Sequence, residues 1–262
     1  MIIMKRGYLM NDGISLLLTL GVGLFILIGA VFVFVTKNSE KIVTLSISMA
    51  FGIMIALIFS ELIPDVFDNI RSIHKLLQIA FIFGFTILGI SILKILDFIL
   101  PNHSHHHEKK HGHEDNMLHI GLISSIALVF HNVIEGMALY LSGLSDIKIG
   151  LMLSIGIGLH NIPMGLVIAS SFYKSNKSIA KTLIIVFALS LTTFFGGLII
   201  YLKASSSINE LYLGAVISIT MGMLLYIALF ELLPKMLCSK EKKSVTIGTL
   251  LGFVILFVSS LF

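Results

Sequence analysis

The sequence predicts an all-α polytopic membrane protein with eight transmembrane helices in a 3+2+3 inverted-repeat arrangement. Three observations lead there. The 262 residues are 56% hydrophobic and only 12% charged, with a mean hydropathy of +1.03, whereas soluble domains carry about twice that charged fraction. Eight apolar stretches each reach the roughly 20 residues that a helix needs to cross a hydrocarbon core about 30 Å thick. A Glu-Leu-x-Pro sequence near the end of the second stretch returns near the end of the seventh. No alternating pattern of a closed β-barrel runs through any of them. In lipid, helices and closed barrels are the only spanning forms that satisfy the backbone.

The first stretch, Gly13–Val35, has no ionisable side chain between Asp12 and Lys37, and its glycines Gly21, Gly23 and Gly29 favour close helix contact. The second, Ile42–Phe67, ends in Phe59-Ser60-Glu61-Leu62-Ile63-Pro64-Asp65, whose bland alternative is a chance helix-end signal, because proline often follows the last turn. The third is Leu76–Leu100, followed by a polar loop at Asn102–Leu118. The fourth and fifth, His119–Leu141 and Ile147–Tyr173, contain the polar motifs taken up below. The sixth, Ile179–Leu202, offers Ser190, Thr192 and Thr193 as polar groups near its middle, beside Gly196 and Gly197. The seventh, Leu211–Leu233, ends in Leu229-Phe230-Glu231-Leu232-Leu233-Pro234-Lys235, and the eighth, Val245–Leu261, is uncharged inside.

At one constant offset Gly52 aligns with Gly222, Glu61 with Glu231, Leu62 with Leu232 and Pro64 with Pro234. The second and seventh helices cross in opposite directions, so this is the signature of an inverted repeat, which in secondary transporters places the substrate near the midplane. The expected domain is a single transmembrane unit over residues 1–262. Its repeats run over about 13–100 and 179–261, around central helices 119–141 and 147–173.

Basic residues set the expected orientation, since cytoplasmic loops are enriched in Lys and Arg. The smaller group (Lys5, Arg6, Arg71, Lys75, Lys148, Lys203) lies on the side of the N-terminus, and the larger, including Lys41, Lys109, Lys110, Lys174 and Lys235, lies opposite. Both termini are therefore expected outside a plasma or inner membrane, with the long loop, residues 102–118, in the cytoplasm. The first apolar run is too long for a signal peptide and shows no small-residue cleavage site. One cysteine, Cys238, excludes an internal disulfide. A net charge of +4 is modest and suggests no nucleic-acid partner.

Two motifs concentrate the chemistry: His131-Asn132-Val133-Ile134-Glu135-Gly136 and His160-Asn161-Ile162-Pro163-Met164-Gly165. Residues four apart share a helix face, so His131 and Glu135 point the same way. An ionisable pair within a membrane span is costly, and by default it marks an ion pathway or a catalytic centre. Pro163 is expected to break the fifth helix and free the carbonyl of Leu159. Together His131, Glu135 and His160, with Asn132 and Asn161 alongside, form a mixed nitrogen and oxygen set that suits zinc, iron or manganese better than magnesium or copper(I). Glu61 and Glu231, near opposite repeat ends, are candidate entrance or exit carboxylates, and Met164 is the one methionine with a candidate ligand role. The loop carries six histidines between His103 and His113, which reads as weak, exchangeable metal binding.

The eight spans, the His-rich loop and the paired His-Asn-x-x-Glu-Gly and His-Asn-x-Pro-x-Gly motifs resemble the ZIP family of divalent metal transporters. The resemblance implies import of zinc, and often of iron or manganese, into the cytoplasm through a site on the fourth and fifth helices, commonly with two metals. It also implies Glu61 as a ligand position on the second helix. The chain departs from the family pattern at Met164, where a carboxylate is usual, and at Thr193-Phe194-Phe195-Gly196, where Glu-Pro-x-Gly is common. One transport-site ion is therefore expected, and Met164 favours softer ions. Zinc is the expected substrate, ahead of iron, manganese, cadmium and cobalt; the partners are divalent metal ions and the lipid bilayer, and a homodimer is the assembly to test. The rival readings are an intramembrane zinc-dependent hydrolase with Glu135 as base, disfavoured by the lack of His-Glu-x-x-His, and a metal sensor built on the loop.

Overall fold

The computed structural model describes residues 2–35, 40–99, 112–176, 178–203 and 210–259. Among them every element is helical, and eight helices are long and apolar enough to cross a membrane. They are α1 (Ile2–Val35), α2 (Glu40–Leu57, continued through Ile58–Leu62 and Ile63–Asn69), α3 (Lys75–Ile99), α4 (Gly112–Ser145), α5 (Ile147–Asn176), α6 (Ile179–Lys203), α7 (Glu210–Tyr226, continued through Ile227–Leu232 and Leu233–Cys238) and α8 (Lys242–Ser259). The chain is a multi-pass membrane protein.

Packing divides the helices into two groups. In one, α1, α4, α5 and α6 pack on each other; in the other, α2 pairs with α8 and α3 with α7. The two groups meet mainly where α5 touches α2 and α8, and where α4 touches α7. Only 17% of the apolar stretch of α3 and 22% of that of α8 are buried, against 67% for α2 and 61% for α7. Hence α3 and α8 are outer helices whose apolar faces, including Phe83, Ile87, Phe98, Leu250 and Phe257, turn outward. Outward apolar side chains cost nothing in lipid, so burial here comes from close backbone contact rather than from hydrophobic exclusion. Two tyrosines tie helices across the bundle: Tyr140 donates to Asp12 at 2.7 Å, and Tyr226 donates to Asp97 at 2.9 Å.

Three expectations about helix limits are corrected, at Pro234, at Pro163 and at the start of α4. Pro234 does not end the seventh helix at Leu233, and Pro64 lies within the second, which runs past it as the expected span to Phe67 does. Each follows a π turn, Ile58–Leu62 in α2 and Ile227–Leu232 in α7, and the chain then continues as helix. The N–H of Ile63 reaches back five residues to Ile58, and that of Leu233 reaches five back to Ala228. The wider turn puts each proline in the first turn of the following segment, where its missing N–H costs little. Pro163 lies inside one continuous helix, α5, rather than breaking it. α5 packs against α1, α2, α4, α6 and α8, a surrounding in which the backbone group freed by the proline is tolerated. The first span, Asp12–Val35, matches the expected Gly13–Val35, and the helix that contains it begins at Ile2. α4 begins at Gly112, inside the stretch read as loop. The histidines from His103 to His111 lie outside the described residues.

Candidate metal site

The site is assembled by two neighbouring helices. On α4, the four-residue spacing aligns His131 and Glu135; from α5, His160 faces them. All three are buried: His131 and His160 are 1% exposed and Glu135 is 8% exposed. One carboxylate oxygen of Glu135 serves both rings. The Nε2 atom of His160 lies 2.6 Å from Oε1, within hydrogen-bond geometry, and the Nε2 of His131 reaches the same oxygen at 2.8 Å but poorly aligned. The ring centroids are 6.0 Å apart.

One donor atom from each of the three residues falls within 4.8 Å of the others. Nitrogen and oxygen ligands of a tetrahedral zinc ion sit at about 2.0–2.2 Å, hence about 3.3–3.6 Å from each other. The three donors already bracket that spacing, and the carboxylate needs to withdraw by less than about 1 Å to admit an ion. The second carboxylate oxygen of Glu135 has no hydrogen-bond partner among the described residues. A buried polar atom left unpaired is costly, and such atoms gather where a ligand binds.

A cavity of about 290 Å³ leads to the cluster and is lined by Glu61, Asp65, His131, Glu135, Ser142 and Ser259 among others. That volume holds many water molecules. It extends along α4 from His131 towards Ser142, and along α5 it meets Leu153, Gly156 and Ile157, ahead of His160. On the opposite side the packing is apolar: Met54, Leu128, Met164, Val167, Ile168 and Leu224, with Ser124, surround a space of only about 10 Å³. The donor cluster thus lies between a wet cavity and an apolar seal.

The remaining candidate residues are distributed as follows. Glu61 stands in the π turn of α2, half-buried on the cavity wall. Met164 is 2% exposed and belongs to the apolar seal, not to the cavity. Glu231 occupies the matching π turn of α7 and is absent from the cavity lining. The side-chain amide of Asn132 turns to α6, donating to the Leu189 carbonyl at 3.3 Å and to the Thr192 hydroxyl at 3.0 Å. Asn161 is fully buried, and its amide has no partner among the described residues. Sequence reasoning missed Asp65, although its spacing of four from Glu61 put it on the same helix face.

Gly136 and Gly165, just beyond the ligand positions, serve packing. A Cβ at Gly136 would meet the carbonyl of Thr193 on α6, and one at Gly165 would meet the carbonyl of Ile26 on α1. The absence of a side chain therefore fastens α4 to α6 and α5 to α1. The Asn132 hydrogen bonds add to the first of these contacts. Asn132→Ala is expected to lower stability by about 1–3 kcal/mol, because it removes a buried donor from two acceptors; thermal unfolding in detergent measures it, and Asn132→Asp, which also loses the donor, should behave no better.

Comparison with known proteins agrees with this chemistry. The ZIP Zinc transporter family matches residues 101–260. The zinc transporter ZupT of Streptococcus mutans is 30% identical over 94% of this chain and 96% of its own length. That of Chlorobium chlorochromatii is 27% identical over 96% and 99%, and that of Corynebacterium glutamicum is 29% identical over 93% and 97%. These relatives are transporters, so the reading of a hydrolase with Glu135 as base is not supported. With most of its length matched, and with two buried histidines and a carboxylate converging on α4 and α5, the chain belongs to the ZIP zinc transporter family.

Proposed function

We propose that the protein imports divalent metal ions, zinc foremost, into the cytoplasm across a plasma or inner membrane. The ion is held by His131, Glu135 and His160, and Glu61 lies on its approach. The observation that carries this reading is the buried donor cluster of His131, Glu135 and His160, two of whose members line a cavity that Glu61 and Asp65 also line. Each ring presents Nε2 to the ion, so its proton sits on Nδ1, and the carboxylate supplies the charge that offsets an ion's loss of water. With both termini outside, as the basic residues favour, the cavity opens outward and the seal around Met164 faces the cytoplasm. Transport then requires the seal to part as the cavity closes.

An inverted repeat supports such alternating access. The two π turns fall at aligned positions, with Ile58 and Ile63 matching Ala228 and Leu233. The packing is likewise exchanged between halves: α1 on α5 corresponds to α6 on α4, and α2 on α8 to α7 on α3. Reconstituted protein with a zinc-sensitive dye inside the vesicles tests the function. The wild type is expected to give a zinc-dependent signal and His131→Ala none; equal signals would refute the reading.

A single transport-site ion is part of the proposal. Met164 is packed in the seal, and although the Oδ1 atoms of Asn132 and Asn161 are unpartnered among the described residues, both are neutral, so no carboxylate beyond Glu135 completes a second position there. Zinc analysis of purified protein lacking His103–His113 should give about one ion per chain. A stoichiometry of two that falls to one in Met164→Ala would refute it.

A further inference from the structure

The cavity wall carries one more acid than the donor cluster requires. We propose that Asp65 is a cation-capturing carboxylate at the cavity mouth, passing a divalent ion to Glu61 and then to the buried cluster. This rests on the reading of the cavity as an ion path. Asp65 and Glu61 both line the cavity, and they lie four residues apart on α2, about 6 Å along the helix axis. Burial deepens along the same wall, from Asp65, which is exposed, through Glu61, half-buried, to Glu135, buried. At the floor, the unpaired Oε2 of Glu135 points to a positively charged ligand independently of the two outer acids. A hydrated dication entering the cavity therefore meets carboxylates of increasing burial, and it can exchange water for ligands stepwise.

The other half of the chain shows the contrast. Glu-Leu-Ile-Pro-Asp at residues 61–65 becomes Glu-Leu-Leu-Pro-Lys at residues 231–235. The ammonium of Lys235 lies in the field of Glu231, so the acid of the second copy is offset by a cation where the first copy doubles its negative charge. The sequence is thus acidic at one end of the repeat and balanced at the other, which attracts cations from one side. Asp68, three residues further on, is also exposed but does not line the cavity. It provides the control for a general surface-charge effect.

In zinc uptake by proteoliposomes at low ionic strength, Asp65→Asn should raise KM about fivefold with the maximal rate within about twofold, as expected for loss of one screened charge near a dication. Asp65→Glu should restore KM, and Asp68→Asn should leave it near the wild-type value. The dissociation constant of zinc, measured by titration calorimetry on protein in detergent, should follow the same order, and it reads the cavity whether or not ions cross. An unchanged constant in Asp65→Asn, or an equal change in Asp68→Asn, overturns the proposal. Absence of uptake by the wild type overturns the transport reading instead, and the calorimetric order then decides the role of Asp65.

Discussion

Glu135→Gln should abolish zinc uptake, by about 100-fold or more, while the protein still folds. In the wild type one carboxylate oxygen lies 2.8 Å from His131 and 2.6 Å from His160, with all three side chains buried. Glutamine keeps the volume but removes the charge, and its NH2 group presents donors where a cation needs acceptors. A dication between two neutral imidazoles then has no counter-charge in a low-dielectric site, and isolated buried charge is strongly disfavoured. Stability should hold or rise, because the substitution removes a buried carboxylate that costs solvation energy. The dye-uptake assay gives the loss, and thermal unfolding in detergent gives the stability. Retention of even a tenth of wild-type uptake would place the ion elsewhere.

Gly165→Val should have the largest structural effect, with little or no monodisperse protein recovered. An added Cβ at this position would run into the main-chain carbonyl of Ile26 on α1. Backbone cannot rotate aside as a side chain can, so α1 and α5 would have to separate along their contact. Overpacking in an ordinary core costs about 1–3 kcal/mol, and a backbone clash between two central helices exceeds that. The separation would also move His160, which sits on α5 five residues before Gly165. Gly21→Ala is the matched control: nothing lies within 4 Å of a Cβ there, and the change should stabilise α1 by about 0.5–1 kcal/mol through helix propensity. Fluorescence-detected size-exclusion chromatography of the two variants side by side measures both effects, and recovery of Gly165→Val at the wild-type level would contradict the close α1–α5 contact.

Several features were legible before any fold was available. Hydrocarbon thickness sets a length that each apolar stretch must reach, so hydropathy alone found all eight helices. The one-face rule aligned His131 with Glu135, because that relation lies within a single helix. Local rules were less reliable at helix ends. Pro163 and Pro234 were read as a break and a stop, but the fifth helix continues through the one and a π turn precedes the other. That outcome depends on neighbours, which a local rule omits.

The paired His-Asn motifs also joined His160 to His131 and Glu135, but the geometry between helices remained hidden. Which helix faces His131 is decided by the packing of α4 on α5, which brings His160 to the same carboxylate oxygen. The turn of Asn132 towards Thr192 and the separation of Met164 from the cavity are likewise tertiary. Asp65 lay in plain view in the sequence but gained meaning only when α2 placed it on the cavity wall. By itself the sequence determined the lipid-embedded helices, their number and the pairing of ligands within one helix, since these follow from length and periodicity. The tertiary structure decided which donors meet, which side of them is wet and which is sealed, because in lipid those relations depend on backbone contacts that glycines permit rather than on an apolar pattern along the chain.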